Sequence, residues 1–400
     1  MNSTKIGLKN NYEEIHWWQF PLNDFSIKLN NNFKNELFNR IYTERSRSLD
    51  FASYINKVSK KYNKNWNFKR QRLLLWEYKN HTKFIPAWFV YEAALYLGIN
   101  PSLVEKNIIA YITFRGKNEI YKPILPVKIT PEFTAILIHA MCDGCLTPNE
   151  NFCYAQKDKD NITRFINILK NIFGDYIVVD SKRKDGTPTT YTPKIFAKII
   201  SHHYGIRTFL SFKCRIPYKI KFYNKLHNLA VLSTFLIDEG HTASSICFSS
   251  SNKKLLKDLI FIAGSLGYKC NSLVTYYPTD KNKLTDKHYK FALSASSLEK
   301  FYLDLKYLFE KYPYLYIGKK FENIEKSIKI KNRDRIQKRK GETKQTILNS
   351  LKDGNKTAYE LRDLANISIW TTYHHLQQLM KKGIVIKYLA YSKTYLYKLV

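Results

Sequence analysis

Two stretches share one pattern: Ile136-Leu137-Ile138-His139-Ala140-Met141-Cys142-Asp143-Gly144, and Leu232-Ser233-Thr234-Phe235-Leu236-Ile237-Asp238-Glu239-Gly240. Each is an apolar run at helical spacing with a carboxylate in its last turn and a glycine just after. Glycine there is expected to take the left-handed conformation that closes a helix. A carboxylate at that end faces the negative pole of the helix dipole, so each needs a compensating cation or hydrogen-bond donors. Either pair alone is an ordinary turn dipeptide. Two such helices side by side would bring Asp143 and Glu239 together and suit a hard divalent cation such as Mg²⁺.

The sequence around the two stretches repeats as well. After the first come a β-like run at 152–156, a helix over 159–173, and β-like runs at 175–181 and 188–193. After the second come a β-like run at 245–250, a helix over 253–266, strand candidates at 270–277 and 288–295, and a closing helix over 297–310. The helices end at Gly174 and Gly267, and Cys153 and Cys247 hold comparable strand positions. A long-period duplication of this kind predicts two pseudo-symmetric halves and not a solenoid.

With these residues in view, the chain resembles the LAGLIDADG homing endonucleases of the two-motif, single-chain type. Two further segments carry the likeness. Phe212-Lys213-Cys214-Arg215-Ile216-Pro217 resembles the family's basic-Ile-Pro signature, and Cys247-Phe248-Ser249-Ser250-Ser251-Asn252-Lys253 resembles its strand running into a Ser-Asn-Lys helix start. The resemblance covers about 126–325, with halves at 126–221 and 222–325. It implies an α+β fold of two αββαββα halves, their motif helices packed together and their sheets laid on the DNA major groove. It implies Mg²⁺ held by Asp143 and Glu239, with the carbonyls of Cys142 and Asp238 assisting. It also implies a lysine near each scissile phosphate, for which Lys213 and Lys290 are the candidates, and Arg215 is expected to touch DNA. One departure stands out: the family has glycine at the third motif position and a small residue at the seventh, where this chain has Ile138 and Cys142, then Thr234 and Asp238. Bulky Ile138 is expected to push the helices apart or force repacking.

The flanks read as DNA-binding modules. Residues 1–125 show mostly helical spacing, at Phe33–Tyr42, Leu49–Lys61 and Ala87–Leu97. Asn67–Lys79, then Pro86 and Tyr91–Ile99, is similar to a Cro/repressor-type helix-turn-helix, with Lys69, Arg70 and Arg72 facing the groove and Trp76 in the core. Trp17 and Trp18 are expected in the core too. A basic connector at 326–340 leads to 341–400, whose helix-helix-helix-hairpin order resembles a winged helix-turn-helix. Its expected recognition helix carries Thr371, Thr372 and His374, and Lys393 lies at the hairpin tip.

Bulk composition agrees. Among 400 residues, 66 Lys+Arg stand against 33 Asp+Glu, a net charge of +33. Such an excess attracts polyanions, nucleic acid first and an acidic membrane surface second. With 44% apolar residues, the chain folds. No run reaches transmembrane length and the start lacks a signal-peptide core, so an intracellular, cytoplasmic, DNA-associated monomer is expected, with double-stranded DNA as its partner and no membrane or small-molecule substrate. The chain lacks the terminal His-Asn of a splicing intein. Six cysteines do not form a disulfide framework, and Cys142 and Cys145 read as two small buried thiols. The leading reading is a metal-dependent DNA endonuclease. The alternative is a regulator-like DNA-binding protein on a catalytically weakened scaffold of the same kind, and an RNA-processing role ranks third.

Overall fold

A sheet that the sequence conceals organises the N-terminal region. The computed structural model describes residues 12–43, 45–80, 83–113, 118–146, 152–206, 209, 213–242, 245–277, 287–333, 341–390 and 394–400. The elements begin with β1 (Glu14–Ile15), β2 (Phe25–Leu29), α1 (Asn31–Tyr42), α2 (Arg45–Ser59), α3 (Phe68–Asn80), β3 (Ile85–Pro86), α4 (Ala87–Tyr96), α5 (Pro101–Glu105), β4 (Ile108–Thr113), β5 (Glu119–Tyr121) and β6 (Val127–Lys128). The expected helices are present and hold most of the region, and β3-β2-β4-β5 add an antiparallel sheet that the helical spacing did not show. The physical reason is long-range pairing. Phe25–Leu29 is almost wholly buried and meets Ile108–Thr113 some eighty residues on, and a short apolar run carries no periodicity that separates strand from helix. Trp17 is fully buried, as expected, whereas Trp76 is 60% exposed and not a core residue.

The central region follows as α6 (Pro131–Met141), β7 (Gly144–Leu146), β8 (Phe152–Ala155), α7 (Lys159–Phe173), β9 (Asp175–Tyr176), β10 (Val179–Lys182), β11 (Pro188–Tyr191) and α8 (Lys194–Tyr204). A short α9 (Tyr218–Lys221) leads to α10 (Lys225–Glu239), β12 (Gly240–His241), β13 (Cys247–Ser250), α11 (Lys253–Ser265), β14 (Val274–Tyr276), β15 (His288–Ala292) and α12 (Leu298–Lys311). The protein is thus of mixed α+β class. The two sheets have orders β10-β11-β8-β7 and β14-β15-β13-β12. Gly144 pairs with Tyr154 as Gly240 pairs with Phe248, and Cys153 and Cys247 sit one residue before those partners.

Local chemistry sets the ends of these helices. Thr130 caps α6 through Phe133 N, with Pro131 in the first turn. Asn224 caps α10 and Asn252 caps α11. Gly174 closes α7 at φ +108°, where a Cβ would press on the Lys122 carbonyl at 2.7 Å. Every residue of α6 is buried, so this helix lies in the middle of the molecule and not on its surface.

One apolar core runs from Ile15 to Ile324. β5 continues into β9 through Ile120 and Tyr176, so the N-terminal sheet is completed by the first central half. α13 (Lys319–Arg333) then packs against α12. A second core, with Ile347, Leu361, Leu376, Val385 and Tyr397, belongs to α14 (Glu342–Lys352), α15 (Ala358–Ala365), α16 (Ile369–Lys381), β16 (Val385–Leu389) and β17 (Tyr395–Leu399). Thr357 and Glu360 form a capping box on α15, and Ser368 caps α16.

Candidate active site

α6 and α10 pack side by side, and two polar pairs cross between them. Thr134 Oγ1 lies 2.8 Å from His227 Nδ1 near the helix starts, and His139 Nδ1 lies 2.9 Å from Asp238 Oδ2 near their ends. Start meets start and end meets end, so the helices are parallel and both acid–glycine ends lie at the same end of the seam. Ile138 and Thr234 are buried (1% exposed each), and the helices remain packed against each other despite that isoleucine. The Thr234 hydroxyl is left without a hydrogen-bond partner in this packing.

At the shared end three carboxylates crowd together. Asp143 accepts from Gln156 Nε2. Burial, then the charges of Asp238 and Glu239, push the Asp143 carboxyl up to about 8, against the pull of Gln156 and Arg183. Burial and Asp238 raise Glu239 as well, and Lys320 opposes them. Asp238 is the most enclosed of the three. Its side chain is fully enclosed, accepting from Tyr154 Oη at 2.7 Å and paired with His139. The Cys142 thiol, beside all three acids, is pushed well up by burial and by their charge. It stays a neutral, free thiol, which agrees with the reading of Cys142 as a small buried group. The Cys145 side chain is outside the described residues.

Among the described residues no group of three or more His, Cys, Asp or Glu side chains is arranged to hold a metal ion. A divalent cation held here would draw on two carboxylates and backbone carbonyls, with the remaining positions left to water or phosphate oxygens. That donor set fits Mg²⁺, which keeps several waters and takes one or two carboxylates. The raised Asp143 carboxyl points the same way, since crowded like charges are what a cation relieves.

Both motif glycines stay at negative φ, which corrects the expected left-handed closure: neither is among the positive-φ residues, and Gly240 has φ −103°. Close approach is what excludes a side chain. A Cβ on Gly240 would meet Leu236 Cα at 2.7 Å and its carbonyl at 2.8 Å, and one on Gly144 would meet Ala140 Cα at 2.6 Å and Phe152 Cε2 at 2.8 Å. Gly240→Ala is expected to cost about 1–3 kcal/mol, the usual range for overpacking. Chemical denaturation checks this, and an unchanged midpoint with unchanged slope would contradict it.

The other expected contact residues fall in different places. Lys213 is exposed, on a loop whose next residue, Cys214, directs its thiol at Met141 O at the end of α6. Asn252 Nδ2 donates to Cys214 O at 2.7 Å, which fixes this loop to the start of α11. Lys290 is exposed on β15, with its ammonium 4.8 Å from the Tyr276 ring. The Arg215 guanidinium is paired with the buried Asp258, which also takes Lys221. This carboxylate anchors the basic-Ile-Pro segment, while the Arg215 side chain stays half exposed. Arg70 and Arg72 are exposed on α3, while the Lys69 side chain is outside the described residues. Thr371 and His374 are exposed on α16, but Thr372 is 0% exposed with its hydroxyl on Ser368 O, so it is a core residue. Lys393 is outside the described residues. Trp370, unmarked by the sequence reading, is 77% exposed at the start of α16.

Besides His139 and Tyr154, two further residues missed in the sequence lie at the acid cluster. Gln156 is the donor to Asp143. Lys320, in the first turn of α13, donates to Leu236 O and Ile237 O at 2.6 Å and to Gly240 O at 2.8 Å. Burial lowers its ammonium, while Asp238, Asp143 and Glu239 raise it.

A family model described as "Bacterial regulatory protein, arsR family" matches residues 341–387. No curated protein matches the chain. Among solved structures, mesophilic variants of the homing endonuclease I-DmoI are similar at 14% identity, covering 44% of this chain and 94% of that one, with a TM-score of 0.31. I-DmoI in complex with DNA and Mn is similar at 13% identity, covering 44% and 96%, TM-score 0.30. Full-length DUF199/WhiA from Thermatoga maritima is similar at 11% identity, covering 64% and 92%, TM-score 0.31. Scores this low do not establish a shared fold. Residues 341–387 therefore carry an arsR-type helix-turn-helix match. Among the described residues no helix is long and apolar enough to cross a membrane.

Proposed function

We infer that the chain is a site-specific DNA endonuclease whose centre is built from two LAGLIDADG-type αββαββα halves, flanked by helix-turn-helix modules. The observation that carries this reading is the convergence of Asp143 and Glu239 at the common end of two parallel buried helices, with the Asp143 carboxyl pushed up to about 8. Asp143 and Glu239, with the carbonyls of Cys142 and Asp238, would hold Mg²⁺. When bound, the ion neutralises charge building on the phosphoryl and leaving oxygens and lowers the pKa of water. The chain's own residues prepare that site. Gln156 orients Asp143, and Tyr154 and His139 fix the Asp238 side chain. Lys290 on the second sheet and Lys213 beside α6 offer cations to phosphates. One chain carries both motifs, so it acts as a monomer.

The arsR-type match favours a second reading, a DNA-binding regulator on a scaffold that no longer cuts. Both readings require tight, salt-sensitive DNA binding, expected from the +33 charge. Only the first predicts cutting. Digestion of a randomised duplex library with and without Mg²⁺ separates them. The nuclease gives discrete cut sites that vanish with chelator; bound but intact DNA at every divalent metal tried would leave the regulator.

A further inference from the structure

We propose that Lys320 is a positioning residue for the second motif, closing the end of α10 and holding Glu239 where it can share a divalent cation with Asp143. The inference rests on the nuclease reading and adds a residue from outside both motifs. α10 ends on two successive carboxylates, Asp238 and Glu239, at the negative pole of its own dipole. The carbonyls of that last turn, which have no helical N–H ahead of them or share one, deepen the negative potential. Lys320 meets both problems. A lysine ammonium has three protons, and it places three bonds, on the carbonyls of Leu236, Ile237 and Gly240. Its pull on Asp143, Asp238 and Glu239 is therefore exerted by charge through space.

The lysine itself is well anchored. The neighbouring Phe321 ring stacks on Tyr302 at 4.8 Å and packs edge-on to Phe309, and Ile324, one turn on, is 1% exposed. A group fixed in this way is pre-organised before metal arrives. The two halves differ accordingly: Asp143 is steadied by a neutral amide, and Glu239 by a cation at its helix end.

The test compares the full chain with Lys320→Met, Lys320→Gln and Lys320→Arg. Two readouts are taken: amide exchange at Gly240, whose N–H bonds Leu236 O, and the Mg²⁺ dependence of cleavage. Met and Gln are expected to speed exchange at Gly240 about tenfold and to lower the cleavage rate at saturating Mg²⁺ about 10–100-fold, as for groups that orient a metal's ligands. Arg, which keeps charge and donors, is expected to restore most of both. Wild-type exchange in Met and Gln would overturn the proposal. So would faster cleavage at low Mg²⁺, the mark of a lysine that merely competes with the ion. A wild-type chain that cuts nothing would end the nuclease reading separately, and exchange at Gly240 would then decide whether Lys320 holds the helix end.

Discussion

Asp143→Asn is expected to leave the protein bound to DNA and unable to cut it. Cleavage at saturating Mg²⁺ should fall on the order of a hundredfold or more, the scale for losing a pre-organised charge-stabilising group. DNA affinity should stay within about threefold, because the variant removes one carboxylate from a surface dominated by cations. The same substitution has a consequence that needs no DNA. The unfolded Asp143 carboxyl titrates near 3.8 and the folded one at about 8. Between those values the folded chain holds a proton that the unfolded chain releases, so the metal-free protein loses stability as pH rises from about 4 to about 8. Asparagine cannot ionise and removes that loss. Metal-free Asp143→Asn should therefore melt higher than wild type at pH 8 and no higher at pH 4. Mg²⁺ should stabilise wild type at pH 8 more than it stabilises the variant. Equal melting temperatures for the two metal-free proteins across that range would mean that the carboxylate is not crowded as described, and unaltered cleavage would remove Asp143 from the centre.

Sequence patterns gave the central elements wherever local chemistry was enough. The helix over 159–173 has an Asp158 cap, a strong apolar face and Gly174 at its end, and it occurs with those bounds. The closing hairpin of the C-terminal region and its three helices were readable for the same reason. Pairing over long distance hid the rest. β2 and β4 have no period to reveal them, and β9 leaves its own half to extend a sheet begun before residue 30. At the site, the acid–glycine ends were visible because they repeat. Their partners were not: Tyr154 meets Asp238 from 84 residues away, and Lys320 meets Ile237 from 83. In a chain with 66 Lys+Arg, one lysine just ahead of a basic connector carries no distinguishing signal. Thr372 was misread for a related reason. Residue type suggested DNA, while helix phase turned its side chain into the core; for Arg215 the sequence did not show the buried Asp258 that it pairs with.

Asp238→Ala tests the part of the seam that stands in for small-residue packing. The bulky Ile138 lies where close approach of the helices was expected to suffer, yet α6 and α10 stay in register. What joins their ends is Asp238, fully enclosed, accepting from Tyr154 and paired with His139 across the interface. Hydrogen bonds to a charged group contribute about 1.5–3 kcal/mol each, and a buried donor left unmade costs about 1–3 kcal/mol. Loss of Asp238 removes two such bonds and strands two donors, offset by relief of its repulsion with Asp143 and Glu239. The balance is a net destabilisation of about 3 kcal/mol, in line with breaking a buried pair by deleting one partner. The melting temperature should fall by about 5 °C for a unit of this size. Tyr154→Phe, which removes one bond and leaves an apolar ring in place, should cost about 1–2 kcal/mol. In a double-mutant cycle with Asp238→Asn the two losses should fail to add, because they act on one network. Strict additivity, or an unchanged melting temperature in Asp238→Ala, would show that apolar packing alone carries the seam. The ends of α6 and α10 would then owe their alignment to Leu236, Leu137 and their neighbours and not to the buried carboxylate.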